Sequence, residues 1–333
     1  MKPNTCRGCV LYEKGEGFVM GEGSPFPDLF LIGEAPGANE ANTGRPFCGG
    51  AGRVLSALLG SAGVNRNNCF VTNLVKCRPP ANHLGPYMPA AGQHCRQYLD
   101  QELTEHPNAN LVLLGDVALQ GVLNKKSIMK HRGCVYEFGT RRVMPTIHPA
   151  ALMRDPKMWN VVVSDLSYAR TMARHQLPEQ RFVIEPILGE IGTWFEKHVH
   201  RGKTYFVDIE TSGQALCCIG IAANESDAIC IPFWHRDGSF YWNTEESMIV
   251  VECMNKFLAD PELYKVMQNG VFDTSVLEGF GFEINGWIAD TMLMHHLAYS
   301  ELKHSLAFLH SIYVRGAYYK DMFHAEKDEE EES

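Results

Sequence analysis

The chain has 333 residues, enough for two cores of ordinary size, and is 45% hydrophobic and 21% charged. It has no apolar run of the roughly 18 residues a membrane helix needs, and Met1 to Val10 is polar, so neither a membrane span nor a secretory leader is expected. The net charge of −9 is unevenly placed: residues 1–175 carry 19 Lys and Arg against 13 Asp and Glu, while residues 176–333 carry 11 against 26. A basic first half suits phosphate contacts, and an acidic second half suits a site that collects divalent cations.

The first half alternates strand and helix signals. Asp28 to Gly33 (DLFLIG) reads as a short buried strand, followed by a Gly-rich loop and a helix from Ala51 to Gly60. Cys69 to Thr72 is a second strand, Pro89 to Glu105 an amphipathic helix, and Leu111 to Leu114 a third strand ending at a helix that Gly115 opens. Arg142 to Thr146 then leads to His148. Strands separated by helices imply a parallel α/β sheet, whose ligands bind in the loops after the strand C-terminal ends. A linker follows around His175 to Gln180. From Lys203 three strands in succession, TYFVDIE, LCCIGIAA and AICIPF, predict an antiparallel meander. Helices are expected over 245–258, 273–280, 290–299 and 305–312, and the run from Glu326 to Ser333 reads as an acidic, solvated tail.

Eleven cysteines in a chain without an expected export signal point to a reducing compartment, where spaced cysteines more often bind metal than form disulfides. Cys6 and Cys9 form a Cys-x2-Cys pair, and Cys77 and Cys95 follow. Four thiolates can close a tetrahedral zinc site or hold an iron–sulfur cluster, and spacing alone does not separate the two. Cys48, Cys69, Cys134, Cys217, Cys218, Cys230 and Cys253 read as small apolar residues.

Five blocks then occur in order: GEAPGANE (33–40), TGRPFCGGAGRVL (43–55), TNLVKCRPPAN (72–82), LVLLGDVAL (111–119) and IHPAALMRDP (147–156). Together they resemble the signature blocks of family 4, iron–sulfur uracil-DNA glycosylases, across almost all of residues 1–175. The resemblance implies a three-layer α/β/α fold. It also implies a [4Fe–4S] cluster on Cys6, Cys9, Cys77 and Cys95 that pins the N-terminal segment against the core.

Chemistry on a base requires flipping it into a pocket with a stacking face, an amide reader and a donor. Phe47 offers the face. The Asn73 amide can bond N3–H and O4 of uracil, and His148 can donate to O2 as the glycosidic bond breaks. The resemblance implies these same roles, with Gly33, Ala35, Pro36 and Gly37 bringing backbone close to the ligand. Other glycosylase families place an Asp where this chain has Ala35, which leaves Glu34 and Glu40 as the candidates to act on water. Cys48 stands where the family generally carries an aliphatic residue. Lys76, Arg78, Arg132, Arg141 and Arg142 are candidate phosphate contacts, although the segment 133–142 reads equally as a solvated basic hairpin.

In the second half, Asp208 and Glu210 fall at i and i+2 of one strand and so share a face. NGVFD, ending at Asp273, follows a short strand, and Asp290 starts a further helix. This pattern is similar to the 3′–5′ exonuclease domain of A-family DNA polymerases, an RNase H-like mixed-sheet fold in which carboxylates hold two Mg2+ or Mn2+ ions. That family's third motif, Tyr-x3-Asp, is not found, because Tyr318, Tyr319 and Asp321 have the wrong spacing. The chain therefore reads as the front part of a phage-type polymerase, incomplete at its C-terminal side, with weak or no exonuclease activity expected on its own. The domains are read as 1–175 glycosylase, 176–202 linker, 203–325 exonuclease and 326–333 tail.

The function expected is excision of uracil from DNA, coupled in one chain to a two-metal exonuclease domain. The alternative is a module that binds uracil or template DNA without cutting it. The partners expected are DNA, single- or double-stranded, and a polymerase domain encoded downstream. The protein is expected to be a monomer in the cytoplasm of a bacterium or phage-infected host.

Overall fold

The computed structural model describes residues 2–213 and 215–317. They pack as two units, one formed by residues up to Gln176 together with those from Ala307, the other by Leu177–Leu306.

Apolar alternation builds the first unit. Its strands are β1 (Glu22–Gly23), β2 (Leu29–Gly33), β3 (Cys69–Asn73), β4 (Asn110–Leu114), β5 (Tyr136–Phe138) and β6 (Arg141–Thr146), in the order β1-β3-β2-β4-β6-β5. The four central strands are parallel. Every residue of β2 and β3 is buried, as expected of strands covered on both faces. Successive side chains point to opposite faces. Leu29, Leu31, Val71, Val112 and Met144 therefore meet the helices α2 (Gly50–Ser61) and α7 (Trp159–Ala169). Phe30, Ile32, Leu111, Leu113 and Val143 meet α3 (Ala90–Glu105) and α4 (Asp116–Leu123) on the other side. Four short helices complete this unit: α1 (Ala38–Thr43), α5 (Ile128–His131), α6 (Pro149–Leu152) and α12 (Leu306–Tyr313), which joins it from Ala307 onward.

The expected three-layer α/β/α arrangement is present, with one difference. The sheet is not wholly parallel, because β1 and β5 lie antiparallel on its two edges. Strands of two and three residues are too short to show a period of two in a sequence. The segment 133–142 belongs to the β5–β6 hairpin, with Gly139 at φ 59° in its turn.

A buried cation holds the end of β3. The Lys76 ammonium has no solvent exposure and donates to Glu102 Oε2 at 2.7 Å, Thr72 Oγ1 at 2.6 Å and the Asn73 carbonyl at 2.9 Å. Burial draws the Lys76 pKa down, and Glu102 opposes that shift. Glu102 also accepts from Thr72 Oγ1 and from the Gly21 N–H. This overturns the expectation that Lys76 contacts DNA. Its charge is spent inside the fold.

The second unit contains β7 (Arg181–Val183), α8 (Leu188–His198), β8 (Thr204–Ser212), β9 (Ala215–Ala222), β10 (Asp227–Pro232), α9 (Thr244–Ala259), β11 (Tyr264–Met267), α10 (Gly270–Gly279), β12 (Trp287–Asp290) and α11 (Thr291–Ala298). The antiparallel meander expected from Lys203 onward is β8–β9–β10. β11 runs parallel to β8, and β12 and β7 extend the mixed sheet to β12-β11-β8-β9-β10-β7. Tyr205, Val207 and Ile209 of β8 pack with Trp194 of α8, Val250, Met254 and Phe257 of α9 and Leu277 of α10. Phe206, Asp208 and Glu210 alternate onto the opposite, exposed face. The expected helix at Asp273 begins earlier, at Gly270, because Asn269 takes φ 60° and turns the chain out of β11. Tyr318, Tyr319, Asp321 and the acidic run 326–333 lie outside the described residues. Among the described residues no helix is long and apolar enough to cross a membrane.

Removing one member of a buried ion pair leaves an uncompensated charge and costs about 3–5 kcal/mol. Glu102→Ala is expected to destabilise the first unit by about that amount, read as a lower urea midpoint for its unfolding transition. A change within about 0.5 kcal/mol, the size typical of surface substitutions, would show that the pair contributes nothing.

Candidate active site

The C-terminal ends of β2, β3, β4 and β6 open into one cavity of about 630 Å³. Glu34 to Glu40 line it after β2, Asn73 ends β3, Gly115 to Val117 follow β4, and Ile147 and His148 follow β6. Phe47 and Gly49 to Ala51 supply a further wall. The structure thus gathers Gly33, Ala35, Pro36, Gly37, Phe47, Asn73 and His148, which sequence reasoning singled out. Parallel pairing explains part of this, because β2 and β3 align Gly33 with Asn73. A Cβ on Gly33 would lie 2.5 Å from Asn73 Oδ1 and 2.5 Å from Phe47 Cζ, so this position has no room for a side chain.

Phe47 is held in place by groups that the sequence did not advertise. Its φ of 50° lies in the left-handed region, which costs a non-glycine residue conformational energy. Arg66 offsets that cost by donating to the Phe47 carbonyl at 3.0 Å and to the Gly52 carbonyl at 3.0 Å. A Cβ on Gly52 would overlap the same Phe47 carbonyl. The Phe47 ring is buried, with its centroid 6.0 Å from that of His148.

Asn73 is buried, and its backbone is fixed by the ladder to β2 and by Lys76. No hydrogen bond to its side-chain amide occurs among the described residues, so the amide faces the cavity with its donor and acceptor available. His148 caps α6, and its Nδ1 accepts from the Ala150 N–H at 3.1 Å. Burial pushes the His148 pKa down to about 4, so the ring is neutral at pH 7. With Nδ1 accepting, the one ring proton sits on Nε2.

The two glutamates separate. Glu40 Oε1 accepts from the Gly49 N–H at 2.9 Å, which ties the two loops of the cavity wall together. Burial raises the Glu34 pKa, with His83 opposing, and Glu34 stays on the cavity wall without such a tie. Among the basic candidates, Arg132 is fully buried against Asp165 and cannot meet a phosphate. Arg141 and Arg142 start β6 while His148 follows its end, which separates them by roughly 20–23 Å at about 3.3 Å per residue. Arg141 is also tied to the Leu103 carbonyl and Arg142 to Glu137. Arg78 differs, because it pairs with Glu16 and donates to Asn82 Oδ1 at 2.7 Å, and Asn82 lines the cavity. Arg154, on the cavity wall, was missed. Its place in the IHPAALMRDP block was the available signal.

The four N-terminal cysteines converge beside this cavity. Cys77 and Cys95 pack with Leu11, Val75, Leu84, Ala91 and Cys9, and Cys6 is buried with Tyr98 Oη 3.1 Å from its sulfur. Lys2 holds the N-terminal loop through the carbonyls of Leu11, Tyr12 and Gly15. Burial pushes the Cys77 thiol up to about 12 and the Cys95 thiol up to about 11, and the neighbouring cysteines add to both shifts.

In the second unit, Asp208 and Glu210 share the exposed face of β8, as their spacing implies. Asp273 is buried on α10 and accepts from the Ile209 N–H at 3.2 Å. Burial, then Asp208, then Asp290 push its carboxyl up to about 6. Burial and Glu210 raise Asp208 as well. Asp290 caps α11, accepting from the N–H groups of Asn269, Gly270, Met292 and Leu293. In neither unit do three His, Cys, Asp or Glu side chains among the described residues enclose the space of a single metal ion.

The His148 shift has a direct consequence. Its folded pKa lies below the ordinary imidazole value, so on acidification the unfolded chain takes the proton first. The associated stability is complete above pH 6.5 and is lost as pH falls from 6.5 through about 4. Histidine ¹H–¹⁵N NMR should show the His148 ring neutral and Nε2-protonated at pH 6, titrating near pH 4. A midpoint above pH 6 would contradict the depressed pKa, and a proton on Nδ1 would contradict the tautomer assignment.

Comparison with known proteins finds one family model in each half of the chain, the second running past Leu306 into residues that pack with the first unit. The family model described as Uracil DNA glycosylase superfamily matches residues 20–167, and that described as 3′-5′ exonuclease matches residues 203–329. The type-4 uracil-DNA glycosylase of Sulfurisphaera tokodaii is 33% identical over 195 residues, covering 56% of this chain and 86% of that protein. That of Archaeoglobus fulgidus is 35% identical, covering 48% of this chain and 84% of that one. The DNA polymerase of Bacillus phage SP01 is 23% identical over 324 residues, covering 86% of this chain but only 34% of the polymerase. A solved structure titled "apo form of the nuclease" aligns at 19% identity and a TM-score of 0.26, over 38% of this chain and 56% of that one, too slight a likeness to bear on the fold. The chain thus covers most of the length of type-4 glycosylases, a 3′-5′ exonuclease model matches the residues from 203 onward, and the chain belongs to the type-4 uracil-DNA glycosylases.

Proposed function

We propose that the cavity at the ends of β2, β3, β4 and β6 excises uracil from DNA. The observation that carries this reading is the convergence of Phe47, the Asn73 amide and a neutral His148 on one cavity. A uracil flipped out of the duplex stacks on Phe47. Asn73 accepts from N3–H through Oδ1 and donates to O4 through Nδ2. Cytosine has an amino group at position 4 and no proton on N3, so it fails on both counts.

His148 donates from Nε2 to uracil O2. As the bond from N1 to the sugar breaks, its electron pair moves into the ring and charge grows on O2. A preorganised donor held in a buried site stabilises that charge more than it stabilises neutral uracil. Because the imidazole starts neutral, it acts as a hydrogen-bond donor and the leaving group departs as an anion. Water must then add to the sugar. Glu34, raised by burial and not tied to the backbone as Glu40 is, is the carboxylate suited to orient it. Arg78 and Arg154 sit where flanking phosphates would run.

Cys6, Cys9, Cys77 and Cys95 would hold an iron–sulfur cluster. The donor set fits: Cys9, Cys77 and Cys95 pack together, Cys6 is close enough to act electrostatically on Cys77 and Cys95, and a bound cation would offset the burial that raises the Cys77 and Cys95 thiols. The likeness to type-4 uracil-DNA glycosylases favours a cluster over zinc. When bound, the cluster ties the N-terminal loop to the chain leaving β3. Asp208, Glu210 and Asp273 would hold divalent magnesium or manganese. A cation would offset the burial and the repulsion from Asp208 that together keep Asp273 near 6, and would activate water for cleavage at a 3′ end. In this reading residues 1–175 form the glycosylase domain and residues 203–325 the exonuclease domain, in a protein that works on DNA in the cytoplasm.

Incubation with uracil-containing DNA followed by alkali should cleave the strand at uracil. His148→Ala and Asn73→Ala should each lower the single-turnover rate by about 10²–10³-fold, as removal of one preorganised donor does elsewhere. Tight binding of uracil DNA without alkali-sensitive sites would defeat the reading and leave a non-catalytic binding module. A second test concerns the cysteines. Cys77→Ser should remove broad absorbance near roughly 400 nm from anaerobically purified protein, whereas a colourless wild-type protein would rule out the cluster.

A further inference from the structure

The first unit buries a second group of charges, and part of it comes from residues that follow the second unit in sequence. Asp165 on α7 is 1% exposed and lies between two guanidinium groups. Arg132 donates to Asp165 Oδ1 at 2.5 Å and to Oδ2 at 3.1 Å. Arg315 donates to Oδ1 at 3.1 Å and to Ser164 Oγ at 2.8 Å. Arg132 also donates to Ser311 Oγ at 3.0 Å. Both cations stack on rings, Arg315 over Tyr168 at 4.6 Å and Arg132 over Phe308 at 5.5 Å. The backbone supports the same docking, with the Val135 N–H donating to the Arg315 carbonyl at 2.8 Å. Gly133 lets the segment approach, since a Cβ there would overlap the Ser311 carbonyl.

The remaining valence of Asp165 is the informative one. Its Oδ2 accepts from Thr146 Oγ1 at 2.7 Å. Thr146 is the last residue of β6, two positions before His148, and its carbonyl accepts from the Gly115 N–H at 2.9 Å. A Cβ on Gly115 would come within 2.9 Å of His148 Cβ. The backbone that carries His148 is therefore fixed from two sides, and one of them runs through Asp165.

We propose that Arg315 is a positioning residue for the glycosylase site. With Arg132 it orients the Asp165 carboxylate, which grips Thr146 and sets the angle at which His148 enters the cavity. The glycosylase unit thus draws part of its active-site support from a residue 150 positions after Asp165, which follows the second unit in sequence. Neither arginine touches the uracil site. Losing one leaves Asp165 free to turn, and the loss reaches the chemistry only through His148. This inference rests on the glycosylase reading above.

The test uses the full chain under single-turnover conditions with DNA carrying one uracil. Arg315→Gln and, separately, the isosteric Thr146→Val are expected to slow excision about tenfold at saturating protein, with the concentration for half-maximal rate unchanged within twofold. Arg315→Lys, which restores a cation beside Asp165, should recover most of the rate. Arg170→Gln, at the C-terminal end of the same helix, is the control and should match wild type. If Arg315→Gln does not fold, Thr146→Val carries the test, since it alters only the final bond to the strand bearing His148. A folded Arg315→Gln or Thr146→Val with the wild-type rate would overturn the proposal. A wild-type chain that releases no uracil would instead overturn the glycosylase reading.

Discussion

The first unit is organised around a single crowded point. At Gly33 the in-register pairing of β2 with β3 brings Asn73 alongside, and the loop through Phe47 folds over both. Only a hydrogen fits there. Several other features follow from that constraint. Phe47 must take a left-handed conformation to reach the point, Gly52 must lack a side chain, and Arg66 must hold the carbonyls that this bend exposes. The cavity is shaped by backbone and rigid strands rather than by mobile side chains, which suits a site that must separate uracil from cytosine by two hydrogen bonds.

Buried charge provides the second layer of support. Lys76 and Glu102 hold the backbone of Asn73, and Arg132, Asp165 and Arg315 hold the strand leading to His148. Each network places a carboxylate where it accepts from a threonine at the end of a central strand, Thr72 in one case and Thr146 in the other. Buried ion pairs add little net stability compared with apolar packing, but they are specific about geometry. Here the geometry they fix belongs to two of the three residues proposed to contact the base. Lys76 also stands next to Cys77, so the cysteine-bearing segment and the base-reading amide share one anchor.

Much of this was legible in the sequence. The strands β2, β3 and β4 are short apolar runs closed by turn residues. Asn73 and His148 stand directly after predicted strands, where parallel sheets bind ligands. Asp208 and Glu210 share a face by simple alternation. Burial was not legible. Lys76 and Arg132 read as surface cations because their partners lie 26 and 33 residues away, at Glu102 and Asp165. Arg141 and Arg142 sit beside functional residues in sequence, yet a strand carries its two ends to opposite sides of the sheet. The edge strands β1, β5, β7 and β12 pair because a neighbouring strand offers an open ladder, and two to four residues carry too little pattern to reveal them. The return of residues 307–317 to the first unit depends on the fit of Gly133 and Arg315, which no local pattern records.

The central claim is that this cavity receives a flipped uracil, with each of its edges read by a named side chain. The most direct measurement is a structure of the chain bound to DNA carrying 2′-fluoro-2′-deoxyuridine, whose fluorine slows departure of the base. The account predicts an extrahelical uracil stacked on Phe47, with N3 and O4 against the Asn73 amide and O2 against Nε2 of His148. A uracil that stays stacked in the duplex, or lies elsewhere on the protein, would contradict it.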